Sequence, residues 1–215
     1  MRLNLDNDVG EEMKKVRVAK VKRKTKETDI RVSLNIDGQG KSKIDTGIGF
    51  LDHMLELFAG HGLFDLEIKA KGDLKVDIHH TNEDIGICLG QAFNEALGKR
   101  KSIRRFGEKT IPMDEALANV RVVVDVSGRP FFNNIKSEKP YEEKDVQGYN
   151  LEYARQFFQA MVNHFPITMH ISILEAGCDT HHLLEAVFKA AAKALDEATQ
   201  IDPRIKDIPS TKGRI

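Results

Sequence analysis

Only two cysteines, Cys88 and Cys178, occur in the 215 residues, and they do not form a Cys-x-x-Cys pair. Neither a disulfide framework nor a thiolate metal site is expected, and a reduced cytosol suits the composition best. Net charge is missing as well: Lys plus Arg and Asp plus Glu number 33 each, so there is no global basic field of the kind that drives binding to nucleic acid or anionic lipid. The basic run Lys14 to Lys26 contains no aromatic residue, and it reads as a solvated strand edge rather than a nucleic-acid arm. Long apolar runs are also absent. Nothing approaches the roughly 20 apolar residues of a spanning helix, and the start, Met1 to Lys15, carries acids and no apolar signal core. The expectation is a soluble, cytoplasmic protein with a small-molecule partner, neither a nucleic-acid nor a membrane binder.

Histidine, by contrast, is unusually arranged. Four of the eight sit in two pairs, His79-His80 and His181-His182. Residues 1–13 read as a polar extension. Val16, Val18 and Val21, then Ile30, Val32, Leu34 and Ile36, mark strands, the second run alternating with polar residues and ending at Asp37-Gly38-Gln39-Gly40. Phe50, Leu51, Met54, Leu55 and Phe58 recur at helical spacing up to Gly60 and Gly62. Phe64, Leu66, Ile68 and Ala70 alternate, turn at Lys71-Gly72-Asp73, and resume with Leu74, Val76 and Ile78, predicting a half-buried hairpin. Thr81-x-x-Asp84 resembles a capping box that opens a helix ending at Gly98.

The second half repeats this plan. Ile30 through Gly38 matches Val120 through Gly128 at an offset of 90, Phe64 to Ile68 matches Ile167 to Ile171 at 103, and His79, His80 and Glu83 match His181, His182 and Glu185 at 102. The change of offset places an inserted loop at about 133–150. The fold class expected is α+β: internally duplicated half-domains, about 14–98 and 105–200, forming one sheet/helix sandwich within a single unit, 14–215. The polar stretches 99–110 and 202–215 read as linker and tail.

His79 and Glu83 are four residues apart, as are His181 and Glu185, so on a helix each pair projects from one face and reaches one ion. The adjacent His80 and His182 must point elsewhere, which suggests that each HHxxE segment serves two ions. Mixed imidazole and carboxylate ligation suits Mn, Fe, Co, Ni or Zn. His53, beside Asp52 and Glu56, is available as a further ligand or as a plain surface residue; its repeat counterpart is Gln156. His61 and His164 also correspond and sit at helix ends, suited to terminal carbonyls. His170 lies off the Ile167-Met169-Ile171 face. Arg104-Arg105, Arg129 after Ser127-Gly128, and Ser210-Thr211-Lys212-Gly213 supply the donors that a phosphate monoester needs. The chemistry alone leaves open a dinuclear metal phosphoester hydrolase, or a metal-binding protein that is no enzyme.

Seven segments in order resemble the imidazoleglycerol-phosphate dehydratase family: Arg23 to Thr28, Gly49 to Leu55, His79 to Asp84, Arg105-Phe106-Gly107, Ser127 to Pro130, His181 through Ala190, and Pro209 to Gly213. The resemblance runs from about Arg17 to Ile215. It implies a sandwich similar to the ribosomal protein S5 domain 2-like fold, built into a hollow homo-oligomeric cage of about 24 copies, with active sites shared between copies and two manganese ions in each. The implied reaction is the dehydration of imidazole glycerol phosphate to imidazole acetol phosphate in histidine biosynthesis. His53, His79, His80, Glu83, His181, His182 and Glu185 resemble the family's metal ligands, the two glutamates counting among its catalytic residues. Glu27 resembles an acid/base residue that contacts substrate, a contact His53 shares, and Arg105, Arg129, Lys189, Ser210, Thr211 and Lys212 resemble phosphate and glycerol contacts. Two positions depart from the family pattern. Gln156 stands where a ligand histidine is common, so one metal site is expected to be weaker, completed by water or the Gln156 amide oxygen. Leu57 replaces a frequently polar residue, so a substrate contact is expected to be missing. The chain leaves no room for the phosphatase domain of bifunctional members.

Overall fold

The computed structural model describes residues 16–113, 116–137, 142 and 144–215; the proposed extension 1–13 lies outside them. In the first half β1 (Val18–Lys24), β2 (Asp29–Asn35), β3 (Ser42–Asp45) and β4 (Asp65–Lys71) form a sheet in the order β1-β2-β4-β3, with α1 (Gly49–Gly62) and α2 (His79–Leu97) packed on it. The second half has β5 (Phe106–Met113), β6 (Ala116–Asp125), β7 (Phe131–Ser137) and β8 (Thr168–Glu175) in the order β5-β6-β8-β7, with α3 (Leu151–His164) and α4 (Thr180–Thr199). In both sheets the first two pairings are antiparallel and the last is parallel. The duplication is thus structural, and the α+β sandwich is the one expected.

Strands alternate because each sheet is buried on one face only. Ile30, Val32 and Leu34 of β2, Leu66 and Ile68 of β4, and Met169, Ile171 and Ile173 of β8 point into a shared core, with polar residues between them. The helices exchange partners across the halves: α2 lies on β1 and β2 and packs against α3, while α4 lies on β5 and β6 and packs against α1. Close approach of α2 to α3 depends on glycine. A Cβ at Gly86 would stand 2.6 Å from the Phe157 carbonyl oxygen, and one at Gly90 2.3 Å from that of Met161. Gly86 and Gly90 are four apart, so one bare face of α2 seats the α3 backbone. Among the described residues no helix is long and apolar enough to cross a membrane.

Four expectations are corrected. Leu74, Val76 and Ile78 form no strand: both edges of β4 are already taken by β2 and β3, and Val76 is exposed. The helix α2 begins at His79, not after a Thr81 cap; Thr81 is buried within it, and the Asp77 carboxylate accepts from the Ile78 and His79 backbone N–H groups instead. Residues 106–110 belong to β5, whose Gly107 lies so close to α4 that an added Cβ would be 2.0 Å from the Ala194 carbonyl oxygen. The stretch 133–137 is strand, not loop. Its signal is lost because register slips between Phe132 and Ile135, with Asn134 at φ 43°, leaving Ile135 alone buried. The polar edge strand β3, with no buried residue, offers no sequence signal at all.

Candidate active site

Both His-His pairs lie in the first turn of a helix. Asp179 caps α4 by accepting from the His181 N–H at 2.8 Å, and its repeat counterpart Asp77 accepts from the corresponding N–H of His79. The caps fix the start of each helix, and helical spacing then sets the histidine over the glutamate one turn later. His181 Nε2 is 3.0 Å from Glu185 Oε1, and His79 Nε2 is 3.5 Å from Glu83 Oε2. Neighbouring rings stand edge-on: the planes of His79 and His80 are nearly perpendicular, as are those of His181 and His182.

Packing of α1 on α4 adds His53 to the second pair. Its Nε2 lies 2.9 Å from Glu185 Oε1, so His53, His181 and Glu185 form a three-donor cluster with ligand atoms all within 4.8 Å of one another. The sequence alone left His53 open between ligand and surface; here it faces the cluster. Glu185 is buried, and Lys189 donates to its other oxygen at 2.6 Å. Burial pushes this carboxyl up, but hydrogen bonds from Lys189, His53 and His181 outweigh it and hold it down at about 2. Lys189, expected at the substrate phosphate, is therefore engaged by Glu185, with the Met113 sulfur 3.2 Å from its Nζ.

At the first pair the partner from α3 is Gln156, whose Oε1 lies 2.8 Å from His79 Nδ1. His79, Glu83 and Gln156 open into a cleft of about 490 Å³ that Arg155, Asn134 and Asn163 also line. Among the described residues no third imidazole, thiol or carboxylate joins His79 and Glu83.

A further cluster surrounds His80. Its Nδ1 is 3.0 Å from Asp73 Oδ2 and 3.9 Å from Glu27, and the Asp73 hydrogen bond raises the pKa of this imidazole, with Glu27 adding to the effect. Glu27 and Asp73 line one cleft of about 430 Å³. The turn carrying Glu27 is tied to α2: Asp84 accepts from Thr28 Oγ1 at 2.5 Å and from Arg23 at 2.8 Å. Asp73 was not singled out in the sequence: it lies in the irregular segment between β4 and α2, so no periodicity ties it to His80. The other Asp73 oxygen is buried, without a hydrogen-bond partner among the described residues.

The anion-binding segments converge only in part. Arg105 makes a bidentate pair with Asp125 at 2.7 and 3.2 Å, donates to the Pro209 carbonyl at 2.9 Å and lies over the Phe106 ring. It thereby pins the C-terminal segment, where Ser210 Oγ accepts from the Lys212 N–H and Thr211 is exposed. Gly128, next to the exposed Arg129, abuts Ile215: an added Cβ would be 2.6 Å from that residue's carbonyl carbon. Arg105, Arg129 and residues 209–215 therefore form one corner, while Lys189 stays on α4. Of the other histidines, His164 donates from Nδ1 to the Ala160 carbonyl at 3.0 Å, a helix-end role, and His170 sits 3.1 Å from the Asn133 amide and against Phe131. Burial, then the nearby Lys189 and Lys193, lower the pKa of His61. Leu57 packs against the core.

Imidazole nitrogens and carboxylate oxygens without thiolate are a donor set for a first-row divalent ion, so the His53, His181 and Glu185 cluster and the His79 and Glu83 pair fit a metal by chemistry. The family model for imidazoleglycerol-phosphate dehydratase matches residues 46–195. The enzyme of that name from Thermoanaerobacter pseudethanolicus is 56% identical over 198 residues, covering 92% of this chain and 99% of its own, and that from a Geobacillus species is 52% identical over 200 residues, covering 93% and 100%. Two solved dehydratase structures share the fold. The Staphylococcus aureus enzyme superposes with a TM-score of 0.73 at 38% identity over 86% of this chain and 99% of its own, and the Pyrococcus furiosus enzyme with 0.75 at 37% over 91% and 100%. With duplicated sheets, paired His/Glu helix starts and this similarity along nearly the whole length, the chain belongs to the imidazoleglycerol-phosphate dehydratase family, hydro-lyases of histidine biosynthesis.

Proposed function

We propose that residues 14–215 form one catalytic unit that dehydrates imidazole glycerol phosphate to imidazole acetol phosphate in the cytoplasm, using two manganese ions per site in a homo-oligomer whose sites are shared between copies. The observation that carries the metal assignment is the convergence of His181 with Glu185, and of His79 with Glu83, at equivalent starts of α4 and α2. Similarity to dehydratases along nearly the whole chain favours dehydration over the alternatives of phosphoester hydrolysis or idle metal binding. His53, His181 and Glu185 hold one ion, and His79 with Glu83 the other. The rings of His80 and His182 stand edge-on to those of His79 and His181, and in this reading each serves an ion of a neighbouring copy, a division of ligands that makes the assembly necessary to the chemistry.

The hydrogen lost in this reaction is not next to a carbonyl, so the substrate ring must act as the electron sink. Divalent ions held by His53, His181 and Glu185 and by His79 and Glu83 would supply that sink by favouring the deprotonated form of the ring. Glu27, exposed and 3.9 Å from His80, carries a proton to or from the substrate carbon or hydroxyl. The corner of Arg105, Arg129, Ser210, Thr211 and Lys212 holds the phosphate and fixes the reacting carbon through binding far from it. Lys189 acts through Glu185, to which it donates.

The test is reconstitution of metal-stripped protein with Mn2+, followed by assay for the ketone product. Turnover that is abolished in both His79→Ala and His181→Ala is expected. Full activity in either variant, or release of free phosphate instead of ketone, would overturn the assignment.

A further inference from the structure

Duplication makes His53 and Gln156 counterparts, yet the structure uses them differently. His53 points Nε2 at Glu185 Oε1, the atom that His181 Nε2 also faces. Gln156 does not occupy the matching place beside Glu83. Its Oε1 lies against Nδ1 of His79, on the side of the ring opposite the nitrogen that faces Glu83. An amide oxygen has only lone pairs to offer, so His79 must carry its proton on Nδ1 and donate it to Gln156. That leaves a lone pair on Nε2, directed toward Glu83. A hydrogen-bond acceptor on the far nitrogen of a metal-binding imidazole fixes tautomer and ring orientation in this way. The geometry does not depend on chance proximity, because Gly86 and Gly90 admit the α3 backbone to the face of α2 directly below His79.

We infer that Gln156 is a positioning residue, not a substitute ligand, and that the two ion sites of this chain are unequal: a tight one at His53, His181 and Glu185, and a weaker one at His79 and Glu83, whose histidine Gln156 orients. The inference rests on the dehydratase reading above. It departs from the sequence expectation that the Gln156 amide oxygen itself completes the site. Each ion gains one imidazole from a neighbouring copy in that reading, so the contrast comes from three donors of this chain at one site against two at the other.

The experiment is calorimetric titration of the metal-stripped, assembled protein with Mn2+, with the electron paramagnetic resonance signal of free Mn2+ as a second count. Wild type is expected to show two classes of one ion per chain, with affinities at least about tenfold apart. His53→Ala should weaken the tight class. Gln156→Leu, which removes the acceptor, should weaken only the other class, by about 10- to 100-fold. Gln156→Glu, whose carboxylate accepts from the same N–H, should keep that class. A single class of two equal ions in wild type, an unchanged weaker class in Gln156→Leu, or equal loss of both classes would overturn the inference. Two intact classes in a protein that fails to dehydrate the substrate would instead sink the proposed function and leave this inference standing.

Discussion

The seat of α3 on α2 gives the sharpest stability test. Replacing Gly90 with Ala puts a methyl carbon 2.3 Å from the Met161 carbonyl oxygen and 3.1 Å from His164 Cβ, where ordinary contact needs about 3.5 Å. The obstacle is backbone, so the helices must separate locally by roughly 1 Å; overpacking of this kind costs about 1–3 kcal/mol. Alanine also returns up to about 1 kcal/mol of helix propensity, which would hide part of the effect. Gly60 in α1 supplies the control: it is exposed, and a Cβ there meets nothing within 4 Å. Gly60→Ala should therefore raise stability while Gly90→Ala lowers it. A difference of about 2 kcal/mol between the two corresponds to melting temperatures about 4–8 °C apart for a chain of this size. Melting must be compared at one protein concentration, because assembly shifts the midpoint. Gly90→Ala that melts as high as Gly60→Ala would refute the close approach on which the placement of Gln156 depends.

Asp84→Ala removes the acceptor shared by Thr28 and Arg23 and should cost about 1–3 kcal/mol; because those bonds hold the Glu27 turn, it should also lower kcat, and a wild-type kcat would separate the turn from the chemistry. Cys88 is buried, and burial pushes its thiol up to about 12, so at neutral pH it carries essentially no thiolate, whereas Cys178 is exposed. Alkylation of native protein, read by peptide mass, should label Cys178 alone. Arg105→Ala should raise KM and also make residues 209–215 readily cleaved by carboxypeptidase, since their anchor at Pro209 is lost; raised KM with an intact tail would mean that Arg105 acts on substrate alone.

Period and repetition made the helices and central strands legible. Ile30, Val32 and Leu34 alternate because β2 lies between β1 and β4 with one face in the core, and the repeat offset reproduced the same strand in β6. What was lost lies at edges and crossings. Leu74, Val76 and Ile78 look like a strand, but a strand exists only where an edge is open, and pairing order is a property of the whole sheet. The start of α2 was misread because Thr81 satisfies a local rule for caps while Asp77 satisfies the actual orphan N–H groups. The His/Glu pairs were readable because both partners lie on one helix. Asp73 was not, since only tertiary structure brings it to His80.

Residues paired within a helix and residues paired across helices respond differently to duplication. His79 with Glu83 and His181 with Glu185 depend on nothing beyond helical spacing, so both copies retain the contact without help from the rest of the fold. The partner across the helix interface depends on how α1 meets α4 and α3 meets α2, and the two interfaces differ: a Cβ at Gly86 or Gly90 would collide with α3 backbone, whereas α4 contains no glycine. A close glycine-lined interface brings residue 156 to the Nδ1 side of His79, away from Glu83, where an acceptor for the ring N–H is useful. The same alignment position thus has different chemistry in each half. This is why Gln156, which the sequence marks as a missing ligand, is better understood from the nitrogen it touches than from the residue it replaces.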